Sequence, residues 1–281
     1  MLSLRRTIVI KPKHGLLEFP YRELWHSRDL VFMFVWRDFI ALYKQTILGP
    51  FWHLFQPILM AITYALVFGK VAQVSTTGSP KFLFYFSSVI LWTYFANCMN
   101  STASTFVNNA PLMGKVYFPR LVLPISIILS NLLAFGIQLV LLGALMILYT
   151  FWDAQFNITL WCLLLPVILL MTAVLGMGLG TIVAAMTVRY RDLAHLVRFG
   201  TQLLMFITPV IYPIAIVPAK YHALVALNPL SSLFEVYRYG MLGNGTIHAS
   251  EILYSITASF AMLIVGLIMF NRSEKTFMDH I

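Results

Sequence analysis

Residues 186–199, "MTVRYRDLAHLVRF", place Arg189, Arg191, Asp192, His195 and Arg198 within fourteen positions. The rest of the chain avoids charge. Only 10% of its 281 residues are Asp, Glu, Lys or Arg, against about 25% in an ordinary soluble domain. No Ser–His–Asp constellation is readable elsewhere, and the seven histidines are scattered. No zinc-ligand spacing occurs. Cys98 and Cys162 fall inside apolar runs and read as two buried free thiols. A phosphate-cradling "GxxxxGK[ST]" sequence is absent. "GMGLG" at 176–180 lacks the full spacing of a dinucleotide loop and lies in an apolar run. Gly176 and Gly180 instead form a small-xxx-small face for close helix packing. A transferase would want a carboxylate or histidine cluster at the membrane interface, and none stands out.

The elements that must position the charged cluster are membrane spans. Hydrophobic residues make up 60% of the chain and the mean hydropathy is +0.83. A span needs about 20 mostly apolar residues. Six stretches qualify: 51–72, 82–106, 121–150, 160–187, 197–217 and 252–270. No cleavable signal peptide is apparent, because Arg5, Arg6, Lys11 and Lys13 break up the first twenty residues. Fifteen of the 19 basic residues fall in the two tails and in the second–third and fourth–fifth connections, and four on the other side. That bias orients both termini to the cytoplasm. "VRYRDLAHLVR" is then a cytoplasmic connection, with its charges in water. Few charges fall inside spans and no inverted repeat is visible, so an ion-coupled transporter is disfavoured. The +9 net charge reports orientation rather than nucleic-acid binding.

Two further segments stand out. Residues 21–46 read as a helix with Leu24, Trp25, Val31, Phe32, Val35, Trp36, Phe39, Leu42 and Tyr43 on one face. Arg37 and Asp38 lie opposite, and Arg28 intrudes on the apolar side. As a span it would bury Arg28, Asp29, Arg37 and Asp38, each at roughly 2.5–3.5 kcal/mol near mid-bilayer. The expectation is a helix lying in the cytoplasmic interface. Leu30, Met33 and Phe34 break its pattern and suggest that its other side meets protein. Residues 208–250 are too apolar for a free loop, and Pro209, Pro213, Pro218 and Pro229 break them too often for a span. A broken or re-entrant segment suits them, packed on protein or lining a cavity. Within it, Glu235 and Arg238 can form an i,i+3 ion pair, either structural or part of a gate.

The segments "RDLVFMFVWRDFIALYKQTILGPFWHLFQP" (28–57), "NNAPLMGKVYFPRLVLPIS" (108–126), "VRYRDLAH" (188–195), "PVIYP" (209–213) and "LNPLSSLFEVYRYGML" (227–242) occur in that order. Together they resemble the membrane subunits of ABC type-2 exporters of O-antigen, capsule and teichoic acid. The resemblance covers the chain from residue 20 onward. It implies an all-α integral membrane protein of six transmembrane helices. An N-terminal amphipathic interfacial helix precedes them, and short re-entrant helices lie on the outer side between the fifth and sixth spans. The expected division is a cytoplasmic tail at 1–20, the interface helix at 21–50, one permease domain at 51–270 and a cytoplasmic tail at 271–281.

The resemblance further implies a homodimer in the bacterial inner membrane, with two copies of a cytoplasmic ATPase that hold ATP and Mg. This chain would bind no cofactor and no nucleic acid. Arg28, Asp29, Arg37, Asp38, Arg189, Arg191, Asp192 and His195 would dock the ATPase. Asn109, Lys115, Tyr117 and Arg120 would stand at the cytoplasmic entrance, near lipid headgroups or a pyrophosphate linkage. Pro209, Tyr212, Pro213, Asn228, Pro229, Glu235 and Arg238 would form the outer gate. Tyr64, Phe68, Tyr85, Trp92 and Phe95 would offer flat rings to the apolar faces of sugars on a polyprenyl-linked glycan. The rival readings are an exporter of the same build for a drug, lipid or small amphiphile and, further off, a membrane transferase.

Overall fold

The computed structural model describes residues 21–43, 49–113, 118–152, 156–187, 190, 192–245 and 247–277. Lys115, Tyr117, Arg189 and Arg191 lie outside the described residues. So do residues 1–20 and the end of the C-terminal tail. Every regular element among the described residues is helical: α1 (Tyr21–His26), α2 (Arg28–Tyr43), α3 (Trp52–Tyr64), α4 (Lys81–Ala103), α5 (Thr105–Met113), α6 (Val122–Thr150), α7 (Leu165–Thr187), α8 (Leu193–Ile207), α9 (Ala219–Ala226), α10 (Pro229–Leu242) and α11 (Ala249–Phe277). A π-helical stretch, Ala65–Val71, continues α3, and a 3-10 turn, Leu160–Leu164, leads into α7.

Five helical segments are long and apolar enough to cross a bilayer: Trp52–Val71, Lys81–Ala103, Val122–Thr150, Leu160–Thr187 and Ala249–Ser273. The chain is therefore a multi-pass membrane protein. The expected span at 197–217 differs. Its helix, α8, has 15 residues and ends at Ile207. At 1.5 Å per residue it is about 22 Å long, short of a ~30 Å hydrocarbon core. Pro209 is the cause. The residue before a proline is driven out of the α region, and Thr208 is extended, with ψ at 142°.

α4 is the central helix. Fifteen of its residues are buried, from Leu83 through Ala103, whereas α3 and α11 expose most of their surface. α7 packs chiefly on α4 and α11, and its glycines allow the approach. A Cβ at Gly180 would stand 2.6 Å from Thr102 Cβ, and one at Gly176 would stand 3.1 Å from Cys98 Cβ. These two face α4, as the small-xxx-small spacing predicts. Gly178, between them, faces α11 instead. A Cβ there would meet the Leu263 backbone nitrogen at 2.6 Å, and Gly266 of α11 sits reciprocally against Thr181 and the Gly178 carbonyl. Cys98 is buried as expected, but Cys162 is only partly covered and its thiol donates to Met241 Sδ at 3.6 Å.

A second, smaller core lies at the inner end. Val31, Phe34 and Val35 of α2 pack with Phe106, Met113, Phe118, Val122, Ala184 and Phe270. The Phe34 and Phe118 rings are 5.8 Å apart, and Phe106 stacks on Phe270 at 4.6 Å. This divides the expected apolar face of the N-terminal helix. Phe34, which broke the pattern, is buried. Trp25, Phe32 and Trp36 remain exposed as one stripe, since positions 25, 32 and 36 nearly eclipse at 100° per residue.

Gly178→Val is expected to destabilise the purified protein by about 1–3 kcal/mol or more, because backbone rather than a movable side chain blocks the new methyl groups. Gly136→Ala meets no atom within 4 Å and should leave the thermal midpoint unchanged or slightly raised. Equal midpoints for the two variants would show that α7 and α11 do not approach as closely as described.

Candidate outer gate and inner docking surface

Beyond Ile207, α8 gives way to residues 208–218, whose only regular element is a 3-10 turn at Ile214–Ile216, and then to α9 and α10. α10 begins where a helix should. Asn228 is its N-cap, Pro229 stands at its first position, and Asn228 Oδ1 accepts from Leu230 N at 3.1 Å. The same amide donates through Nδ2 to Thr208 Oγ1 at 2.8 Å, which ties the start of α10 to the end of α8. α10 ends at Gly243, whose φ of 74° lets the chain turn back.

Twelve of the 14 residues of α10 are buried, among them Glu235 at 4% and Arg238 at 1% exposure. The two form an ion pair through Arg238 Nη2 and Glu235 Oε1. An isolated charge in such a place would cost several kcal/mol, so its other contacts matter. Arg238 Nη1 donates to the Tyr212 carbonyl at 3.3 Å, and its guanidinium lies 4.8 Å from the Phe84 ring centre. Glu235 Oε1 also accepts from Ile214 N at 3.1 Å. The pair thus holds both strands of the turn around Pro213, which is itself buried together with Pro209. The Tyr212 hydroxyl donates to Ile207 O at 2.9 Å.

The seven residues expected at an outer gate, Pro209, Tyr212, Pro213, Asn228, Pro229, Glu235 and Arg238, therefore belong to one connected unit. Sequence reasoning missed Thr208 and Phe84. It also missed the latch beyond them, where Asn244 Nδ2 donates to Ser79 Oγ at 2.6 Å and joins this unit to the α3–α4 connection. Only the fold brings residues 165 positions apart together.

The inner side is looser. Arg37 and Asp38 pair at 2.7 Å, and Arg28 and Asp29 approach to 3.7 Å. Both pairs join sequence neighbours, so each dipeptide largely satisfies itself. Asp192 and His195 are exposed at the first turn of α8, near exposed Tyr190. Asn109 Nδ2 donates to its own helix at Thr105 O, and Arg120 is half-buried just ahead of α6.

Packing redirects the expected channel aromatics. Tyr85 and Phe95 are fully buried and Trp92 nearly so, with Trp92 5.5 Å from Phe95 and 6.5 Å from Phe234. They form the subunit's own core, because α4 is enclosed on every side. Tyr64 and Phe68 are half-buried and meet edge-to-face at 5.8 Å. The exposed aromatics on these helices are Trp52 and Phe55 on the first span, with Phe51 just ahead of it, Phe199 and Phe206 on α8, and Tyr254 and Phe260 on α11. The first span and α8 touch where Tyr64 OH donates to Met205 Sδ at 3.5 Å. The first span also exposes Gln56, and α8 exposes Gln202 and Arg198. On the middle turns of α6 and α11 the outward residues are apolar or, like Thr257, bonded to their own helix. Among the described residues no group of three or more His, Cys, Asp or Glu could hold a metal ion.

Fold and site together define an all-helical multi-pass membrane protein with an internally braced, non-spanning outer unit. The chain belongs to the ABC-2 type transporter family, whose profile matches residues 29–242. It is similar over nearly its whole length to curated relatives. A Klebsiella pneumoniae protein named "O-antigen export system permease protein RfbA" is 27% identical over 89% of this chain and 94% of its own. A protein of that name from Myxococcus xanthus is 29% identical over 92% of this chain and 98% of its own.

Truncating Glu235 to Ala strands a buried guanidinium and is expected to cost about 3–5 kcal/mol in thermal or denaturant unfolding. The double variant Glu235→Leu/Arg238→Met removes both charges and should recover a large part of that loss. Equal destabilisation by the two would mean that the pair's partners, rather than its charge balance, hold the turn.

Proposed function

We propose that this chain is the permease subunit of an ATP-driven exporter that moves a lipid-linked polysaccharide of the O-antigen type across the bacterial inner membrane. The observation that carries the reading is the likeness, over nine-tenths of the chain, to relatives named as O-antigen export permeases. Two copies form the conduit, and two ATPase subunits beneath supply ATP and Mg chemistry. The permease does no bond-breaking of its own. α8 is the sixth span, completed across the outer leaflet by the 208–217 turn, which is buried from Thr208 to Ile211, and both termini are cytoplasmic.

The shared surface of α3 and α8 is the conduit wall. An exposed glutamine facing lipid leaves an amide without hydrogen bonds, which is costly, whereas facing a hydrated glycan it is satisfied. Gln56, Gln202 and the open rings of Phe55, Phe199 and Phe206 together offer what a sugar presents, hydroxyls and flat C–H faces. α6 and α11 turn their apolar sides to lipid. Asn109, Lys115, Tyr117 and Arg120 stand at the inner mouth. The Phe34–Phe118 contact joins α2 to the segment that follows them, so an ATPase pushing on Arg28, Asp29, Arg37 and Asp38, or on Arg189, Arg191, Asp192 and His195, moves the mouth as well. The outer unit around Glu235 and Arg238 opens or closes the far end.

Deletion of the gene in its host should leave polyprenyl-linked polysaccharide in the inner membrane and remove that polymer from the surface. Wild-type gene restores export. The triple variant Arg189→Ala/Arg191→Ala/Asp192→Ala should restore little of it while keeping normal amounts of permease in the membrane. Gln202→Leu should slow export about tenfold, the size of effect expected when a buried polar contact is lost. Normal surface glycan without accumulation would exclude the polysaccharide reading.

A further inference from the structure

Beneath α9 lies a cavity of about 580 Å³, within the range of small-ligand sites and lined almost wholly by apolar atoms. Phe68 from the first span, Phe206 and Ile207 from the end of α8, and Tyr221 and Leu224 from α9 form its walls. Its rim is the gate turn, through Tyr212, Val217 and Pro218. α9 has little else to rest on. Every residue from Ala219 to Leu224 is exposed, and only Val225 is buried. The helix is held from its ends, by the His222 ring nitrogen 2.7 Å from Val217 O and by the Asn228 cap. The space is open to the surface, and with almost no polar atom in its walls it favours apolar ligands over water.

The charge around it limits the occupant. Of the basic side chains expected on the outer side, Arg238 is paired with Glu235, and the Lys81 ammonium donates to the Gly69 carbonyl. Lys70 and Lys220 are exposed. The Lys220 ammonium stands 4.7 Å from the centre of the Tyr221 ring, and that ring is itself part of the cavity wall. An apolar slot with one ammonium at its lip matches an acyl chain that carries a single phosphodiester. A pyrophosphate-linked sugar fits worse, because its hydroxyls would lie against Ile216, Leu224 and Pro218.

We infer that the slot beneath α9 binds an anionic phospholipid of the outer leaflet, with an acyl chain between α8 and α9 and the headgroup phosphate on Lys220. The bound lipid fills the space under the gate turn and props α9 in place. Its effect on export rests on the exporter reading above, but its binding does not, so retention is measured without transport.

The full-length protein, with its associated ATPase where it copurifies, is exchanged into nanodiscs of equal palmitoyl-oleoyl phosphatidylglycerol and phosphatidylcholine. It is then released into a mass spectrometer under conditions that strip annular lipid. Wild type should retain phosphatidylglycerol over phosphatidylcholine by about fivefold, the factor expected of one lysine near an anionic headgroup. Lys220→Gln should bring that ratio near unity. Leu224→Trp, which puts an indole into the slot from an exposed position, should lower retention of both lipids while the thermal midpoint holds. Retention without headgroup preference, a preference that survives Lys220→Gln, or retention unchanged by Leu224→Trp would each overturn the site. So would displacement of the phospholipid by added polyprenyl phosphate at equal concentration.

Discussion

One buried ion pair makes the outer half of this protein possible. The chain between α8 and α9 forms no more than a 3-10 turn, Ile214–Ile216, and at membrane depth such irregular backbone survives only when protein satisfies its polar groups. Glu235 accepts from Ile214 N, and Arg238 donates to the Tyr212 carbonyl, so the pair binds the turn from both sides. The charges are tolerable because they meet each other, and the turn is tolerable because it meets the charges. Asn228 extends the arrangement by capping α10 and bonding Thr208 with one side chain. Such a unit has few intermediate states. It cannot fray residue by residue without stranding a charge.

The frame on which the unit moves is set by close backbone approach. Apolar side chains gain little by leaving lipid for one another, so packing rather than the hydrophobic effect holds spans together. α7 meets α4 through Gly176 and Gly180, and it meets α11 through Gly178 and Gly266. α4, α7 and α11 are held together by these approaches, whereas α3 and α8 expose most of their surface.

The inner core gives the two ends a physical connection. α2 lies against the start of α6 through Val31, Phe34 and Val35, and the same cluster includes Phe106, Ala184 and Phe270 from the inner ends of three other helices. Exposed Trp25, Phe32 and Trp36 remain free for the headgroup region, where such rings are favoured.

The sequence by itself determined the class. Apolar runs of span length, basic residues biased to alternate connections, and prolines in the 208–250 segment all act locally, through solvation and backbone sterics, and need no partner to be read. It also pointed to part of the braced unit, since Glu235 and Arg238 sit one helical turn apart and Asn228–Pro229 is a helix start, but not to Thr208, Phe84 or the Asn244–Ser79 contact. Tertiary structure decided the rest. The aromatics of α4 could be read as channel wall or as ordinary packing, and only the enclosure of α4 by its neighbours made Tyr85, Trp92 and Phe95 core. Phe34 looked out of register because the partner surface that buries it is more than eighty residues away. Gly178 and Gly266 each look like an ordinary gap in an apolar helix. Their role exists only where two backbones cross, and a one-dimensional pattern carries no record of that crossing.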